Sequence, residues 1–462
     1  MSQDLHSVLD RLDAAGRLRR ISTPVSPIFE LASVCRYAQL DDALKQDVLL
    51  FEHVEGSDIP VVGNLMVTRE NAAIAFGIEP GALLRLGVEA MERPIPPVRV
   101  ERAPCQEIVE LAPDLDVRLL PICQNSERDG GRYITAGIHI TNNPENGVRN
   151  VGLQRNQVHD ADTLGIWMAP THMRAHFEAN EAQERPLPVA IVIGAHPALL
   201  IASQFRTAFD EDELPAAGGL LGEPIQTVKC VTSDLEVPAQ AEIVIEGEVL
   251  PKVRHQEGPF GEFTRQYGIQ RQLPVVKIRA ITRRRNAIYH NVLSGKSPEH
   301  PLIGALGREP SLFRAVRASL PGVVSVHMPL GSGANMHAWI SIRKTSEGDA
   351  QKAGFAAFAH QDLIKHVIVV DDDIDIQDPF EMDYALGTRV HADRDIYVIP
   401  RVRAVVLDPA AEEYTVGKGT VSKMIVDATK PHLAPEGSFT MADVPGSMLE
   451  RVSADRARYF GG

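Results

Sequence analysis

The fold is decided between residues 130 and 285, where the chain reads ITAGIHIT (134–141), VRNVGLQRNQV (148–158), PVAIVIGA (188–195), AEIVIEGEV (241–249) and PVVKIRAITRR (274–284). Alternating β-branched residues between Gly, Pro and Asn turns are typical of β-strands. Two helix-like patterns, around 171–184 and 210–222, interrupt the series. So many strands in one region predict a compact sheet or barrel, which we expect to carry the functional site.

The segment before this region predicts an α/β unit. Apolar residues recur at helical spacing over residues 7–18, and IPVVGNL (59–65) indicates a short buried strand before a helix start at Thr68. The proline-rich stretch 93–104 then suits an extended connector, because proline removes backbone donors and disfavours helix. We expect a boundary between two units near this connector.

The segment after the β-rich region predicts a second α/β unit with a mixed sheet. Its pattern indicates strands at 325–330, 337–343 and 366–371, and helices from about 310 and at 349–360. The domain limits that we predict are 1–115, 116–305 and 306–462.

The composition of the 462 residues, 44% hydrophobic and 23% charged, is that of a globular protein of two or three domains. It excludes collagen-like and disordered chains. The formal net charge of −14 disfavours binding to nucleic acid or to anionic lipid.

The cysteine spacing and the N-terminus predict the compartment. No C-x-x-C pair occurs, which argues against a structural zinc site and a disulfide scaffold. The N-terminal pattern lacks the apolar core of a signal peptide, and the longest apolar stretch, 187–203, is broken by His196 and Pro197. We therefore expect a cytoplasmic protein without a membrane span. The cysteines that we expect to be reduced are Cys35, Cys105, Cys123 and Cys230.

The segment EGPFGE (257–262) places two carboxylates on one turn rich in glycine and proline. Glycine permits unusual backbone angles and the close approach of a ligand. Glu257 and Glu262 could divide the work, one ionised beside a cation and the other with a raised pKa as a proton donor. A hairpin loop with solvated glutamates is the alternative.

The strand RNVGLQR (149–155) carries a neutral oxygen ligand, Asn150, and a bidentate anion binder, Arg155. Because side chains alternate along a strand, the two point to opposite faces unless a β-bulge intervenes. Ordinary polar positions on a half-exposed strand are the alternative.

Two further ligand types stand alone in the sequence, His172 after Pro170 and Glu223 after Gly222. Each by itself is an ordinary helix-start or turn residue. Together with Asn150 they would form a set of oxygen and imidazole ligands that suits Mn²⁺ or Mg²⁺ better than zinc.

The segment VGKGTVSKM (416–424) brings lysines and backbone amides together in a way that suits a phosphate. It is not a Walker loop, because Gly419 rather than Ser or Thr follows Lys418. An NTPase is therefore disfavoured, and a flexible basic loop is the alternative.

A run of acids follows the apolar strand that ends near residue 371, and such a run could bind a hard cation. It lacks the glycine and the terminal glutamate of a calcium loop, so a solvated strand end is the interpretation that we prefer. The acids are Asp371, Asp372, Asp373 and Asp375.

Taken in order, these segments resemble the UbiD family of reversible decarboxylases, which use prenylated FMN. The EGPFGE turn, with an upstream Asn and Arg five residues apart, is the most specific part of the resemblance. The other matching segments are PVVGNL (60–65), DGGRY (129–133), LGEP (221–224), VDDDID (370–375), SKM (422–424) and DAT (427–429).

The resemblance implies a mixed α/β fold of three parts. These are an N-terminal α/β unit, a central flavin-binding split β-barrel and a C-terminal α/β domain used in oligomerisation. It also implies a homo-oligomer, either a dimer or a hexamer, and a flavin prenyltransferase that supplies the cofactor.

The resemblance further implies how the cofactor is held. A divalent metal, commonly Mn²⁺, bridges to the flavin phosphate through Asn150, His172 and Glu223, with K⁺ nearby. Arg155 belongs to the same cofactor site. The phosphate contact falls to Lys423, and the neighbouring Lys418 is the alternative.

The implied reaction is the non-oxidative, reversible decarboxylation of an aromatic, heteroaromatic or α,β-unsaturated carboxylic acid. Loss of CO₂ leaves a carbanion that side chains cannot stabilise alone, so an electrophilic cofactor must accept the electron pair. In the family the substrate forms an adduct with the flavin, loses CO₂ and is protonated. The catalytic network falls on Arg155, Glu257 and Glu262, with Glu262 as the proton donor.

Substrate recognition is predicted at His300 and Arg308, eight residues apart after the catalytic turn. These side chains could reach a second carboxylate or a ring heteroatom, which suits a dicarboxylic heteroaromatic acid. A capping role for Arg308, or its pairing with surface acids, is the alternative.

Two other functions stay open from the sequence. One is a metal-dependent hydrolase or phosphotransferase that uses the acids from Asp371 to Asp375. The other is a non-catalytic flavin- or metal-binding subunit of a larger assembly.

Overall fold

The structure is a computed structural model that describes residues 3–169, 171–405, 407–411, 419–435, 437–440 and 442–460. Its N-terminal region contains α1 (Leu5–Ala14), β1 (Leu18–Ile21), α2 (Glu30–Leu40), β2 (Val48–Phe51), β3 (Val61–Gly63), α3 (Arg69–Phe76) and α4 (Leu83–Glu92).

Short local signals set the ends of the first helices. Asp4 caps α1 with its side chain, as acidic residues at helix starts commonly do. The helix ends at Ala14, before Gly16 with its positive φ of 68°, so the predicted continuation to residue 18 is wrong. Leu18 is instead the first residue of β1. The predicted helix start at Thr68 is confirmed, since Thr68 caps α3.

The central region holds most of the strands, as the sequence predicts. Its elements are β4 (Val98–Arg99), β5 (Ile108–Leu111), β6 (Tyr133–Asn142), β7 (Arg149–Asp160), β8 (Thr163–Ile166), α5 (His172–Glu181), β9 (Leu187–Ile193), α6 (Pro197–Ala202), α7 (Leu214–Leu221), β10 (Gln226–Lys229), β11 (Glu236–Pro238), β12 (Ile243–Glu257), β13 (Phe260–Gly261), β14 (Tyr267–Gly268), β15 (Arg271–Arg283) and β16 (Tyr289–His290).

Six of these strands close an antiparallel barrel in the order β12, β9, β6, β7, β8 and β15, with β15 pairing back onto β12. Successive residues of one strand face different cores, as the period of a strand requires. Ile191 and Ile193 of β9 pack in one apolar cluster, whereas Ala190 and Val192 pack in another. The expected barrel and the mixed α/β fold class are both confirmed.

A β-bulge lies opposite Arg155. The pairing of β6 with β7 shifts register between Ile134 and Gly137, so that two residues of β6 stand opposite one of β7. Such bulges increase the local twist and redirect side chains. The sequence left open whether Arg155 shares a side with Asn150, and both residues line the same cavity.

The C-terminal region is an α/β unit around a mixed sheet. In the order β17, β18, β19, β21 and β20, the three middle strands run parallel and both edge strands antiparallel. Its elements are α8 (Glu299–Ser319), β17 (Val323–His327), β18 (His337–Ile342), α9 (Asp349–His360), β19 (His366–Asp371), α10 (Pro379–Arg389), β20 (Ile396–Arg403), β21 (Thr420–Ala428), α11 (Gly446–Ala454) and α12 (Arg456–Phe460).

Helix α8 begins at Glu299, well before the predicted start near residue 310. Its prolines and glycines misled the prediction, because each of these residues disfavours a helix interior. Tertiary packing overrides that cost. A Cβ atom on Gly307 would lie 2.5 Å from the Cβ of Gln204, so the glycine lets α8 approach the chain after α6 closely.

The N-terminal and central regions share a sheet, whereas the sheet of the C-terminal region contains only its own strands. Strand β16 pairs with β3 of the N-terminal region, and β5 pairs with the barrel strand β15. Our domain limits at residues 115 and 305 stay predictions.

The four cysteines are buried and free of disulfides. Among the residues that the structure describes, no helix is long and apolar enough to cross a bilayer.

A buried ion pair ties α8 to the regions on either side. Glu309 accepts hydrogen bonds from Arg69 of α3 at 2.6 Å and from the Met328 amide at 2.8 Å, and it lies 3.1 Å from His327 Nδ1. Burial raises the pKa of Glu309, but Arg69 and His327 outweigh it and hold the pKa at about 2. Glu309 therefore stays ionised and joins three elements.

We expect Glu309→Ala to lower the free energy of unfolding by about 3–5 kcal/mol, because it leaves Arg69 buried without its partner. Glu89→Ala is the control, since exposed Glu89 lies 3.9 Å from Arg85 and such pairs contribute less than about 1 kcal/mol. Chemical denaturation at pH 7 measures both. Equal losses in the two variants would contradict a structural role for this pair.

Candidate active site

One cavity of about 390 Å³ lies between the barrel wall, α8 and the C-terminal unit. We call it the central cavity. Its size is within the range of small-molecule sites. Residues 150–155 of β7 form one wall, and Asn335 and Leu363 contribute from the C-terminal unit. Its charged and imidazole side chains are Arg155, His172, Arg206, Glu213, Glu262, His300 and Arg308.

Arg155 is held by two carboxylates from the ends of the EGPFGE turn. Its Nε donates to Glu257 Oε1 at 2.9 Å, its Nη2 to Glu257 Oε2 at 3.3 Å, and its Nη1 to Glu262 Oε1. The two carboxylates differ in position. Glu262 lines the central cavity, whereas Glu257 lies behind Arg155 with 1% of its surface exposed. The structure therefore brings Arg155, Glu257 and Glu262 together, as predicted, and Glu262 faces the central cavity.

Burial and the neighbouring charges act in opposite directions on the pKa values of this network. Burial raises the pKa of Glu262, although Arg155 opposes the rise. Burial alone would lower the pKa of Arg155, but Glu262 and Glu257 outweigh it and raise that pKa, so the guanidinium stays charged. Glu262 is therefore a buried carboxyl group whose pKa is raised by burial beside a fixed cation.

Aromatic rings cover the guanidinium on two sides. Arg155 lies 4.5 Å from the ring centre of Phe260 and 5.1 Å from that of Trp167, and Arg271 lies over the same tryptophan at 5.0 Å. These contacts add cation–π attraction and keep water away from the ion pairs. Nothing in the sequence pointed to Trp167, because a lone tryptophan beyond a strand carries no signal of its partner.

Asn150 and His172 line one end of the central cavity together with Glu213. Glu213 lies just before α7 and accepts hydrogen bonds from the Val151 amide at 2.7 Å and from Thr207 Oγ1 at 2.9 Å. Its Oε1 lies 3.7 Å from His172 Nδ1. An amide oxygen, an imidazole and a carboxylate are a ligand set that suits Mn²⁺ or Mg²⁺.

Glu213 takes the place that the sequence analysis gave to Glu223. Glu223 follows Gly222 at the far end of α7, its amide donates to the Gly218 carbonyl, and it is not among the cavity residues. The structure therefore brings Glu213, and not Glu223, to the central cavity beside Asn150 and His172. The sequence did not single out Glu213 among the acids at 210–213, because acidic residues at the start of a helix usually interact with the helix itself.

No group of three His, Cys, Asp or Glu side chains comes together as a metal site in the part of the chain that the structure describes. A cation in the central cavity would therefore need a neutral ligand. Asn150 is such a ligand, and with His172 and Glu213 it makes the residues present fit a divalent metal.

His300 and Arg308 both line the central cavity from α8. Arg308 donates to Gln204 Oε1 at 2.7 Å and to Asn335 Oδ1, and it forms no ion pair among the described residues. Burial lowers the pKa of Arg308 to about 9, and Arg206 adds to the effect. His300 Nδ1 is buried without a hydrogen-bond partner among these residues, and burial lowers the pKa of His300 to about 4.

The structure does not bring Lys423 to the central cavity. Its Nζ donates to the Asp362 carbonyl at 3.0 Å and lies 5.0 Å from the ring centre of Phe358. Lys423 on β21 is thus engaged with the chain that follows α9, and the predicted phosphate contact is not supported. Lys418 lies outside the described residues.

The acids after β19 are engaged in ion pairs within the C-terminal unit. Arg389 donates to Asp371 at 3.0 Å and to Asp373 at 2.9 Å, and Lys430 Nζ donates to Asp373 at 2.8 Å. Arg389 side-chain exposure is 1%. These carboxylates are neutralised by protein cations, which leaves little reason for a metal ion to bind them.

Comparisons with known proteins identify the family. Three domain models of 3-octaprenyl-4-hydroxybenzoate carboxy-lyase match the chain: the N-terminal domain at residues 9–91, the Rift-related domain at 97–297 and the C-terminal domain at 301–428. The chain belongs to the UbiD family. It is a decarboxylase of the carboxy-lyase class, with the fold of the prenylated-FMN enzymes.

Particular relatives cover almost the whole chain. The anhydromevalonate phosphate decarboxylase of Methanothermobacter thermautotrophicus is 36% identical over 416 residues, which are 90% of this chain and 95% of the relative. HmfF from Pelotomaculum thermopropionicum in complex with FMN is similar with a TM-score of 0.90 and 41% identity, over 98% of this chain and 99% of that one. An evolved dimeric form of HmfF in complex with prFMN has a TM-score of 0.86 and 40% identity, over 97% and 98%.

We expect Glu213→Gln to weaken Mn²⁺ binding by at least about tenfold, because it removes a charged ligand. Glu223→Gln, the matched change at the other end of α7, should leave Mn²⁺ binding unchanged. Titration with Mn²⁺ alone and elemental analysis after gel filtration measure both. Loss of the metal in Glu223→Gln but not in Glu213→Gln would contradict the assignment.

Proposed function

We propose that this chain catalyses the non-oxidative, reversible decarboxylation of an aromatic, heteroaromatic or α,β-unsaturated carboxylic acid with prenylated FMN as cofactor. The observation that carries the proposal is the buried Arg155, Glu257 and Glu262 network at the wall of the central cavity. Its parts come from β7 and from both ends of one turn, so the fold itself assembles them.

The residues of the network have separate roles in this proposal. Glu257 fixes the guanidinium of Arg155 from behind through two hydrogen bonds. Arg155 in turn orients Glu262, which holds the proton at its carboxyl group and delivers it to the carbon that has lost CO₂. Burial raises the pKa of Glu262, which is the direction that a proton donor needs.

The cofactor supplies the chemistry that these side chains lack. Prenylated FMN, when bound, accepts the electron pair that departing CO₂ leaves behind. Asn150, His172 and Glu213 would hold its phosphate through a divalent cation, for which we propose Mn²⁺, with K⁺ nearby. Lys418 is the remaining candidate for a direct lysine contact. A flavin prenyltransferase would supply the cofactor.

The substrate is the second part of the proposal. Arg308 has only neutral amide partners, Gln204 and Asn335, so an anionic group of the substrate would satisfy its charge. His300 is neutral at pH 7 and offers an unpartnered Nδ1 among the described residues. These features support a dicarboxylic heteroaromatic acid, whose second carboxylate binds Arg308 while the first faces Glu262.

The oligomer remains an expectation, namely a homodimer or a homohexamer formed through the C-terminal unit. The evolved dimeric form of HmfF supports the expectation that this chain forms a homo-oligomer. The hydrolase alternative has no comparable observation in its favour, because Arg389 and Lys430 pair with Asp371 and Asp373.

We expect Glu262→Gln to lower kcat by about 10²–10⁴-fold, because it removes the proton donor and keeps the shape of the side chain. Asp373→Asn should leave kcat within about twofold. The assay follows CO₂ release by enzyme co-expressed with a flavin prenyltransferase. Activity that survives Glu262→Gln but is lost in Asp373→Asn would favour the hydrolase-type alternative instead.

We expect Arg308→Met to raise KM for a furan or pyrrole dicarboxylic acid by about 10–100-fold, because a charge-assisted hydrogen bond is lost. KM for the matched monocarboxylic acid should change by less than about threefold. A larger effect on the monocarboxylic acid would show that Arg308 does not bind the second carboxylate. A phosphate-bearing acid in the same panel tests whether another anion takes its place.

A further inference from the structure

The motif DGGRY (129–133) takes no part in the proposed chemistry. Its first residue nevertheless contacts the EGPFGE turn (257–262), which we call the catalytic turn. Asp129 is 6% exposed and does not line the central cavity. Its Oδ1 accepts a hydrogen bond from the Gly261 amide at 3.0 Å, and its Oδ2 accepts one from the Ser126 amide at 2.9 Å. The carboxylate therefore joins the loop 126–131 to the residue directly before Glu262.

The backbone of this loop also lies tightly against the turn. The Gly130 amide donates to the Pro259 carbonyl at 2.8 Å. A Cβ atom on Gly130 would lie 2.3 Å from the Gly258 carbonyl oxygen, so only glycine fits there. Gln157 of β7 bridges both sides, donating to the Gly130 carbonyl at 2.7 Å and accepting from the Gly258 amide at 3.0 Å.

Glu262 depends on its backbone for its position. Its carboxylate is hydrogen-bonded to Arg155, and its amide donates to the Gln266 carbonyl at 2.8 Å. The Gly261 amide, one residue earlier, is fixed by Asp129. A shift of about 1 Å in a reacting group costs up to about 100-fold in rate. The contact that fixes the Gly261 amide therefore also affects where the proposed proton donor, Glu262, is placed.

We infer that Asp129 is a positioning residue, which places the Glu262 carboxyl group against Arg155 by holding the Gly261 amide. The inference rests on the proposed role of Glu262 as proton donor. A carboxylate suits the task because it accepts from two backbone amides at once. An asparagine in its place presents one oxygen and one NH₂ group, so one amide faces another donor.

The test compares Asp129→Asn with Glu246→Gln in the enzyme loaded with its cofactor. Glu246 is the matched control, since it is 1% exposed and accepts from the amides of Val231 at 2.9 Å and Thr232 at 2.8 Å. It lies in β12 but contacts neither the catalytic turn nor the central cavity. Both variants should lose thermal stability to a similar extent.

We expect Asp129→Asn to lower kcat by about 10–100-fold with KM changed by less than about threefold, and Glu246→Gln to keep kcat within about twofold. Hydrogen exchange should accelerate in the segment 258–263 of Asp129→Asn and stay at the wild-type rate there in Glu246→Gln. Wild-type kcat and wild-type exchange in Asp129→Asn would overturn the inference. Equal loss of kcat in both variants would overturn it too, because the effect would then be one of stability alone.

A second variant decides the matter if Asp129→Asn does not fold. Gly130→Ala pushes a methyl group onto the Gly258 carbonyl without removing a charge. It should lower kcat with KM unchanged, and wild-type kcat in this variant would overturn the inference. Full activity of Glu262→Gln would instead contradict the proposed function, so the two failures are distinguishable.

Discussion

Arg155 is a cation whose side chain is 11% exposed, and it is held between two buried carboxylates on which the rest of the site depends. Taking a cation and its carboxylate partner out of water is costly, and the cost is offset only when geometry and hydrogen bonding are good. Loss of one partner from such a group costs about 3–5 kcal/mol, because it leaves a buried charge without compensation. Strand β7, the end of β12 and the turn after it must therefore meet in one fixed relation.

The two carboxylates are not equivalent, and their difference is what chemistry requires. Glu257 is enclosed behind the guanidinium and makes two hydrogen bonds to it, so it acts as the fixed counter-charge. Glu262 reaches the same guanidinium from the side of the central cavity, where burial raises its pKa. In the proposed mechanism Glu262 exchanges a proton with the substrate, and Glu257 would keep its negative charge beside Arg155 while that proton moves.

The sequence predicted the parts of the fold that local pattern controls. Alternating β-branched residues predicted the barrel strands, whereas the resemblance to the UbiD family, and not local pattern, predicted that Arg155 meets Glu257 and Glu262. Prediction failed where tertiary packing decided the outcome. Helix α8 carries Pro301, Gly304 and Pro310, which local propensity places outside a helix, yet close packing of α8 against Gln204 and α4 stabilises it.

Long-range placement was the second limit of the sequence. Glu213 and Glu223 stand at opposite ends of α7, and nothing local tells which end faces His172. The hydrogen bond from the Val151 amide of β7 to Glu213, between residues far apart in the chain, holds Glu213 at the central cavity. Lys423 was misplaced for the same reason, since its neighbours in β21 say nothing about its contact with Asp362.

The charges of the central cavity argue for an anionic ligand beyond the carboxylate that is lost. Three arginines line it, against Glu213 and Glu262. Arg155 is already offset by its own carboxylates, whereas Arg308 has neutral partners and a pKa lowered to about 9 by burial and Arg206. A cation that is buried loses its favourable interaction with water. A bound anion offsets that loss, whereas a ligand without a second negative group does not. The proposed preference for an acid with two anionic groups therefore rests on the cost of burying Arg308 in the cavity as well as on the contact that a bound acid would make with it.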